Sequence, residues 1–316
     1  MVEAPASLVE QSDVEAARGR IEGWIRHTPV LHPGEDAFGI PGRISLKLEL
    51  LQHTGSFKPR GAFSKMLASE VGPAGVIAAS GGNFGLAVAY AARRLGYRAE
   101  IFVPSTSPTV KVDRIRAQGA EVVVIDGFYS EALDAERDRA EETGALELHA
   151  FDQPEVVAGQ GSIGAELEER VPDADTVIVA VGGGGLIAGI AAWYAGRARI
   201  VGVEPETSNA LSAALHAGEP VDVEVSGYAA DSLGPRRAGE IAFAVASRWV
   251  EQVVLVADEA IREAQRRLWE EVRVFAEPGG ATPLAALIDG AYVSEPDERV
   301  VVVLSGANGD LAAISG

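Results

Sequence analysis

The sequence predicts an α/β fold of two doubly wound domains with mainly parallel sheets. Short, nearly unbroken Val- and Ile-rich runs recur along the chain, and Ala-rich amphipathic stretches separate them. Apolar runs without polar alternation belong to strands covered on both faces, and strands that alternate with helices run parallel. Loops of Gly, Ser and Asn fall directly after such runs, which is where α/β folds bind ligands.

Taken in order, strands are expected over Ile44–Leu50, Gly75–Ala79, Glu100–Val103, Glu121–Ile125, Thr176–Val181, Ile200–Glu204, Val253–Val256 and Val300–Leu304. Helices are expected over Phe84–Leu95, Val110–Gln118, Ser130–Glu142, Leu186–Tyr194 and Glu259–Glu271. The stretch from Ser56 to His149 carries a βαβαβα pattern of its own. Residues 56–149 are therefore expected as a small inserted domain, residues 1–55 with 150–316 as a larger one, and the site in the cleft between them.

Composition sets the outer bounds. At 316 residues the chain can bury a sizeable core. Its 46 acidic and 27 basic residues give a formal charge of −19, a surface that repels nucleic acid and anionic membranes. Without cysteine there is no disulfide, thiolate nucleophile or thiolate metal site. No run is long and apolar enough to span a bilayer, and Met1 to Glu10 lacks the blocks of a secretion signal. A cytoplasmic protein is expected, and an anionic ligand would need a local dipolar pocket.

In "TGSFKPRGAF" (54–63) Lys58 stands between Phe57 and Pro59. A solvated loop lysine is the plain reading. A lysine desolvated among apolar neighbours instead has a lowered pKa and can form an imine and act as a base. "ASGGNFG" (79–85) offers Ser80, Asn83 and loop N–H groups at a helix start, suited to a carboxylate or phenolic oxygen; Asn83 as a helix cap is the alternative. Gly182, Gly183, Gly184 and Gly185 lie between a strand and a helix and make a phosphate cradle. Gly183, Gly185 and Ala188 also fit the dinucleotide pattern G-x-G-x-x-A, with Glu204 placed as the ribose acid. A nicotinamide (NAD) oxidoreductase is thus the alternative from a different class, and it gives Lys58 no role. Ser305 ends a strand, its hydroxyl either entering the crevice or bonding its own loop. The five histidines show no metal-ligand spacing, and none is assigned to catalysis. Arg236 and Arg237 read as a solvated helix start.

Together and in this order, "GSFKPRGAF", "SGGNFG", "VGGGGLIAG" and "LSGAN" resemble the fold-type II pyridoxal-phosphate enzymes, in the serine/threonine dehydratase and serine racemase branch. The likeness runs nearly end to end and includes "RIEGWIRHTPV" (20–30). It implies a fold like that of the tryptophan synthase beta chain, a homodimer, and pyridoxal phosphate carried on Lys58. Phe57, Asn83, Gly182 to Gly185, Leu186 and Ser305 match cofactor-lining positions, with Ser305 facing the pyridine nitrogen. Ser56, Ser80, Gly81, Gly82 and Asn83 match substrate-lining positions.

The implied reaction is β-elimination of water from L-threonine and/or L-serine, giving a 2-oxo acid and ammonia. Serine racemase and 3-hydroxyaspartate dehydratase are the alternatives within the fold. Gly81 stands where racemases of the branch carry a second serine, which favours dehydration. Phe84 replaces a histidine of the common pattern. Glu204 matches the first ligand of a divalent-cation site, but "PETSNALSAALHAG" supplies no following aspartate, so a metal is left open. "GYAADSLGPRRAG" (227–239) matches the cofactor-facing loop only loosely, and Glu277 is placed near the substrate amino group or β-substituent. The chain ends at Gly316, without the regulatory domain of biosynthetic threonine dehydratases, so no feedback inhibition by isoleucine is expected.

Overall fold

A computed structural model describes residues 8–311; residues 1–7, most of the stretch read as lacking a secretion signal, and 312–316, with the chain end, lie outside them. The described strands are β1 (Val30–Leu31), β2 (Arg43–Leu48), β3 (Val76–Ala79), β4 (Ala99–Pro104), β5 (Glu121–Ile125), β6 (Leu146–Glu147), β7 (Thr176–Ala180), β8 (Arg199–Pro205), β9 (Gln252–Val256) and β10 (Arg299–Leu304). They form a six-stranded sheet in the order β1-β2-β10-β7-β8-β9 and a four-stranded sheet in the order β5-β4-β3-β6. Every neighbouring pair is parallel except β1 with β2.

The apolar runs are continuous because both faces of each sheet are covered. In the larger sheet Val177, Val179, Val301 and Val303 pack into one core, where the helices Pro154–Arg170 and Gly185–Tyr194 lie. Their neighbours Ile178, Ala180, Val300 and Val302 face the opposite core, covered by Asp258–Val272 and Pro278–Asp289. Alternate residues of one strand point to opposite faces, and each fully buried Val or Ile contributes about 1.5–3 kcal/mol. The smaller sheet repeats the arrangement. Val76, Ala78, Ile101 and Val103 pack with the helices Pro59–Ala68, Asn83–Leu95 and Thr109–Arg116, and Ile77, Ala79 and Phe102 with Tyr129–Thr143.

Several helices go beyond the expected set, among them Gln11–Ile21, Pro59–Ala68, Pro154–Arg170, Ala210–Ala217, Glu240–Trp249 and Pro278–Asp289. Pro59, Pro154 and Pro278 each occupy the first turn, where a missing N–H costs nothing. The glycines of Pro154–Arg170 are contact points rather than breaks. A Cβ on Gly159 would lie 2.9 Å from Gly61 Cα, and one on Gly161 would lie 2.6 Å from the Gly189 carbonyl. Three helices therefore meet backbone to backbone. Arg236 and Arg237 precede rather than begin a helix, which starts at Glu240. Among the described residues no helix is long and apolar enough to cross a membrane.

Candidate active site

Strands β2 and β10 stay in register up to the pair Leu48–Leu304, so their loops leave side by side. The Phe57 N–H donates to Ser305 O at 3.0 Å and the Ala307 N–H to Gly55 O at 2.9 Å. Gly55 has φ +80°, and a Cβ there would sit 2.8 Å from Asn308 Oδ1. Only glycine meets both demands. The turn then delivers Lys58 to the cap position of the helix Pro59–Ala68.

Lys58 Nζ donates to the Ala150 carbonyl at 3.0 Å. It lies 4.9 Å from the Phe57 ring centroid and 5.6 Å from that of Phe84. Burial pulls its pKa down to about 8, with Glu277 opposing. This is the desolvated lysine of the sequence argument, and Phe84 is one of the walls that desolvate it.

Two residues on, the wholly buried Arg60 anchors the turn. Its guanidinium donates to Glu49 at 2.8 and 2.8 Å and to Glu166 at 2.7 and 3.0 Å. Lys47 completes the group, donating to Glu166 at 2.5 Å and to Thr28 O at 2.8 Å. Two cations thus balance two carboxylates, so no charge in this group is unpaired. Removing one member of such a group costs about 3–5 kcal/mol. The sequence marks Arg60 only as a neighbour of Lys58, because its partners lie far along the chain.

Asn83 opens the helix Asn83–Leu95, yet its side chain does not cap it. Nδ2 donates to Glu277 Oε1 at 2.6 Å, and Oδ1 accepts from Asn308 Nδ2 at 2.7 Å. Burial pushes the Glu277 carboxyl up to about 7, against the bond from Asn83. Asn308 also donates to Thr54 O at 2.8 Å. The loops after β2, β3 and β10 are thereby joined in one polar network.

His149, assigned nothing by the sequence, borders this cleft. Its Nδ1 accepts from the Asp152 N–H at 3.1 Å, and burial holds its pKa down to about 4, with Asp152 opposing and the Lys58 charge adding to the fall. It is neutral and carries its proton on Nε2.

Gly182 to Gly185 connect β7 to the helix Gly185–Tyr194. None of their four N–H groups donates to another described residue. Side chains are shut out from behind: a Cβ on Gly183 would lie 2.3 Å from the Phe151 ring, and one on Gly184 would lie 2.4 Å from Ala242 Cβ. Leu186 is buried in the core beneath. The loop 227–239, which matched its counterpart loosely, covers this turn. Leu233 Cα lies 3.3 Å from a Cβ position on Gly182, and the Gly239 N–H donates to Gly183 O at 3.1 Å. Ser305 and Ser56 are both buried, and the Ser56 hydroxyl has no partner among the described residues. Ser305 accepts on its carbonyl from the Phe57 N–H, which holds it at the crossing of the two loops.

Ser80 Oγ accepts from the Gly82 N–H at 3.3 Å. Gly81 has a neighbour that its lack of a side chain conceals: a Cβ there would lie 2.1 Å from Ser107 Oγ. The space beside Gly81 therefore does hold a hydroxyl, supplied by the loop after β4. Gly82 has open space around its Cβ position.

Glu204 is not part of the cleft network. Its carboxylate accepts from the Leu211 and Ser212 N–H groups at 2.8 and 2.9 Å, at the start of the helix Ala210–Ala217. Burial raises its pKa to about 7. Both oxygens accept from the helix that follows β8, and Glu204 joins no other candidate ligand among the described residues. Among the described residues no cluster of three or more His, Asp or Glu side chains could hold a metal.

Fold and site define an α/β enzyme that sets a readily deprotonated lysine, bonded to Ala150, next to Phe151 and the glycine turn that Phe151 backs. The chain matches the model of the pyridoxal-phosphate dependent enzyme family over residues 21–306 and belongs to that family. It is 38% identical over 318 residues to an L-threonine ammonia-lyase of Geobacter sulfurreducens, covering 98% of this chain and 77% of that one. It is also similar to the solved structure of maize serine racemase, with TM-score 0.91 and 30% identity, covering 98% of this chain and 96% of that one. The solved threonine deaminase of T.th. gives TM-score 0.89 and 37% identity over 96% of this chain and 99% of that one. The residues present fit the family cofactor: free N–H donors suit its phosphate, and Lys58 suits its carbonyl.

Proposed function

We propose that the protein is a pyridoxal-phosphate dependent ammonia-lyase that dehydrates and deaminates a small β-hydroxy amino acid, L-threonine and/or L-serine, to a 2-oxo acid and ammonia. One observation carries the reading: Lys58, its pKa brought down to about 8, bonds the Ala150 carbonyl next to Phe151, which backs a glycine turn whose four N–H groups have no partner among the described residues. Relatives named threonine ammonia-lyase support it.

When bound, the cofactor supplies the electron sink that makes a Cα proton removable. In this proposal Lys58 holds the cofactor and then takes the Cα proton on Nζ. Gly182 to Gly185, with Leu186 behind them, hold the phosphate through backbone N–H groups and the helix dipole. Phe57 would wall the ring, Asn83 would serve its phenolic oxygen, and the Ser305 hydroxyl would serve its nitrogen without enforcing a proton there. Ser80 and the loop of Gly81, Gly82 and Asn83 receive the substrate carboxylate, and Ser56 lines the substrate site. Residues 56–149 act as a small domain over a large one made of 1–55 and 150–316. A cytoplasmic homodimer completes the reading, to be checked by size-exclusion chromatography with light scattering.

A second reading, racemisation of serine, is favoured by one feature, the Ser107 hydroxyl beside Gly81. Chiral analysis of serine after incubation decides between products. The test of the main reading is the visible spectrum and 2-oxo acid release of holoprotein beside Lys58→Ala. A borohydride-sensitive band and threonine turnover, both lost in the variant, are expected. A band without turnover would leave the family intact and reject the lyase.

A further inference from the structure

The helix Thr109–Arg116 packs Val112 and Ile115 into the core of the smaller sheet. Residues three apart share a helix face, and Lys111 and Arg114 turn a second face toward the cleft. Arg114 Nη1 donates to Asn308 Oδ1 at 3.4 Å, and Lys111 pairs with Asp231. The Lys111 side chain is only 17% exposed, against 67% for Asp231. Asp231 belongs to the loop over the glycine cradle, which is pinned directly after it. Ser232 Oγ accepts from the Gly279 N–H at 2.9 Å, and Ser208 Oγ donates to Leu233 O at 2.5 Å. The ion pair therefore joins the smaller-sheet layer to the cover of the cradle, and the buried Glu277 carboxyl senses both of its charges.

We propose that Lys111 is a specificity-determining residue whose ammonium, neutralised by Asp231, reserves the cleft for substrates with an uncharged β-carbon substituent. The inference rests on the ammonia-lyase reading, in which the α-carboxylate is taken by the Ser80–Asn83 loop. A substrate bearing a second carboxylate on its β-carbon has to place that charge elsewhere in the cleft. There it meets Glu277 and Asp231, both acidic, and a lysine already paired. Without the Asp231 charge, a mostly desolvated ammonium is left without a partner, and such a group favours an anionic ligand. Asp231 thus acts against the dicarboxylate rather than for threonine, the repulsive half of specificity.

The experiment compares holoenzyme with Asp231→Asn and with Asp231→Asn/Lys111→Met, using L-threonine and 3-hydroxyaspartate. Both kcat/KM for 2-oxo acid release and the absorbance titration of the bound cofactor with each amino acid are recorded, after thermal melting shows each variant folded. One charge-assisted contact corresponds to a change of about tenfold or more. The expected result is a rise of that size in the preference of Asp231→Asn for 3-hydroxyaspartate, carried by KM and abolished in the double variant. An unchanged preference, or a rise that survives loss of Lys111, overturns the proposal. So does an equal loss on both substrates, which would make the pair a clasp across the cleft. If wild-type holoenzyme shows its band but does not turn over threonine, the lyase reading fails, and the titration still compares the two amino acids.

Discussion

Asn83 Nδ2 and Glu277 Oε1 are 2.6 Å apart, and this contact joins the loop after β3 of the smaller sheet to the start of the helix Pro278–Asp289 against the larger one. Glu277 is buried with its carboxyl raised to about 7, and Lys58 feels its charge. The bond therefore has both a mechanical and a protonic role.

The first prediction concerns that proton. A carboxyl raised from 4.5 to about 7 binds its proton more tightly folded than unfolded. Its stabilising contribution is full below about pH 4.5 and is lost as pH rises through about 7. Glu277→Gln, which keeps an acceptor for Asn83, is expected to melt above wild type at pH 8 and level with it at pH 4. The gap at pH 8 is on the order of 3 kcal/mol. Calorimetry on cofactor-free protein measures it, and a gap independent of pH would refute the assignment.

Lys58 sets a second expectation. With a pKa of about 8 rather than 10.5, about a tenth of the amine is free base at pH 7, against well under a thousandth. Capture of pyridoxal phosphate by cofactor-free protein should accelerate with pH and reach half its limit near pH 8. A midpoint near 10 in stopped-flow absorbance would mean that burial does not act on this amine.

In the cradle, Gly184 has φ +89° and no room for a methyl group, whereas a Cβ on Gly182 would meet Leu233 Cα at 3.3 Å. Gly184→Ala is expected to cost roughly 2–4 kcal/mol from backbone strain and overpacking. It should weaken cofactor retention by at least about tenfold, while Gly182→Ala does less of both. Urea melts and equilibrium dialysis compare them, and equal effects would show that the geometry of Gly184 is not what matters.

Beside Gly81 the predicted effect is conditional. Gly81→Ser collides with Ser107, whose Oγ and Cβ lie 2.1 and 2.9 Å from the new Cβ, and should cost roughly 1–3 kcal/mol. Adding Ser107→Gly should restore most of the melting temperature. Loss that the second change does not relieve would place the conflict elsewhere.

The strand cores were legible because β-branched runs buried on both faces leave no alternation to misread, as Val300–Leu304 shows. Lys58, Asn83, Ser305 and the four glycines could be picked out because odd residue types followed strands. Pro154–Arg170 was missed since Gly159, Gly161 and Gly164 look like interruptions until the helices they touch are known. Arg60, Asn308 and Ser107 were hidden for a related reason: each acts on a residue distant in sequence. Glu204 misled because position along a strand does not reveal which way a carboxylate turns, and here backbone N–H groups of the following helix capture it.

The glycine contacts among Pro59–Ala68, Pro154–Arg170 and Gly185–Tyr194 bear on how such a protein can change over evolutionary time. Lys58 and the cradle are located by main chain against main chain, with Gly61 against Gly159 and Gly161 against Gly189. The reacting groups thus keep their spacing whatever side chains line the mouth of the cleft. The same close contacts leave no room for a side chain at those glycines.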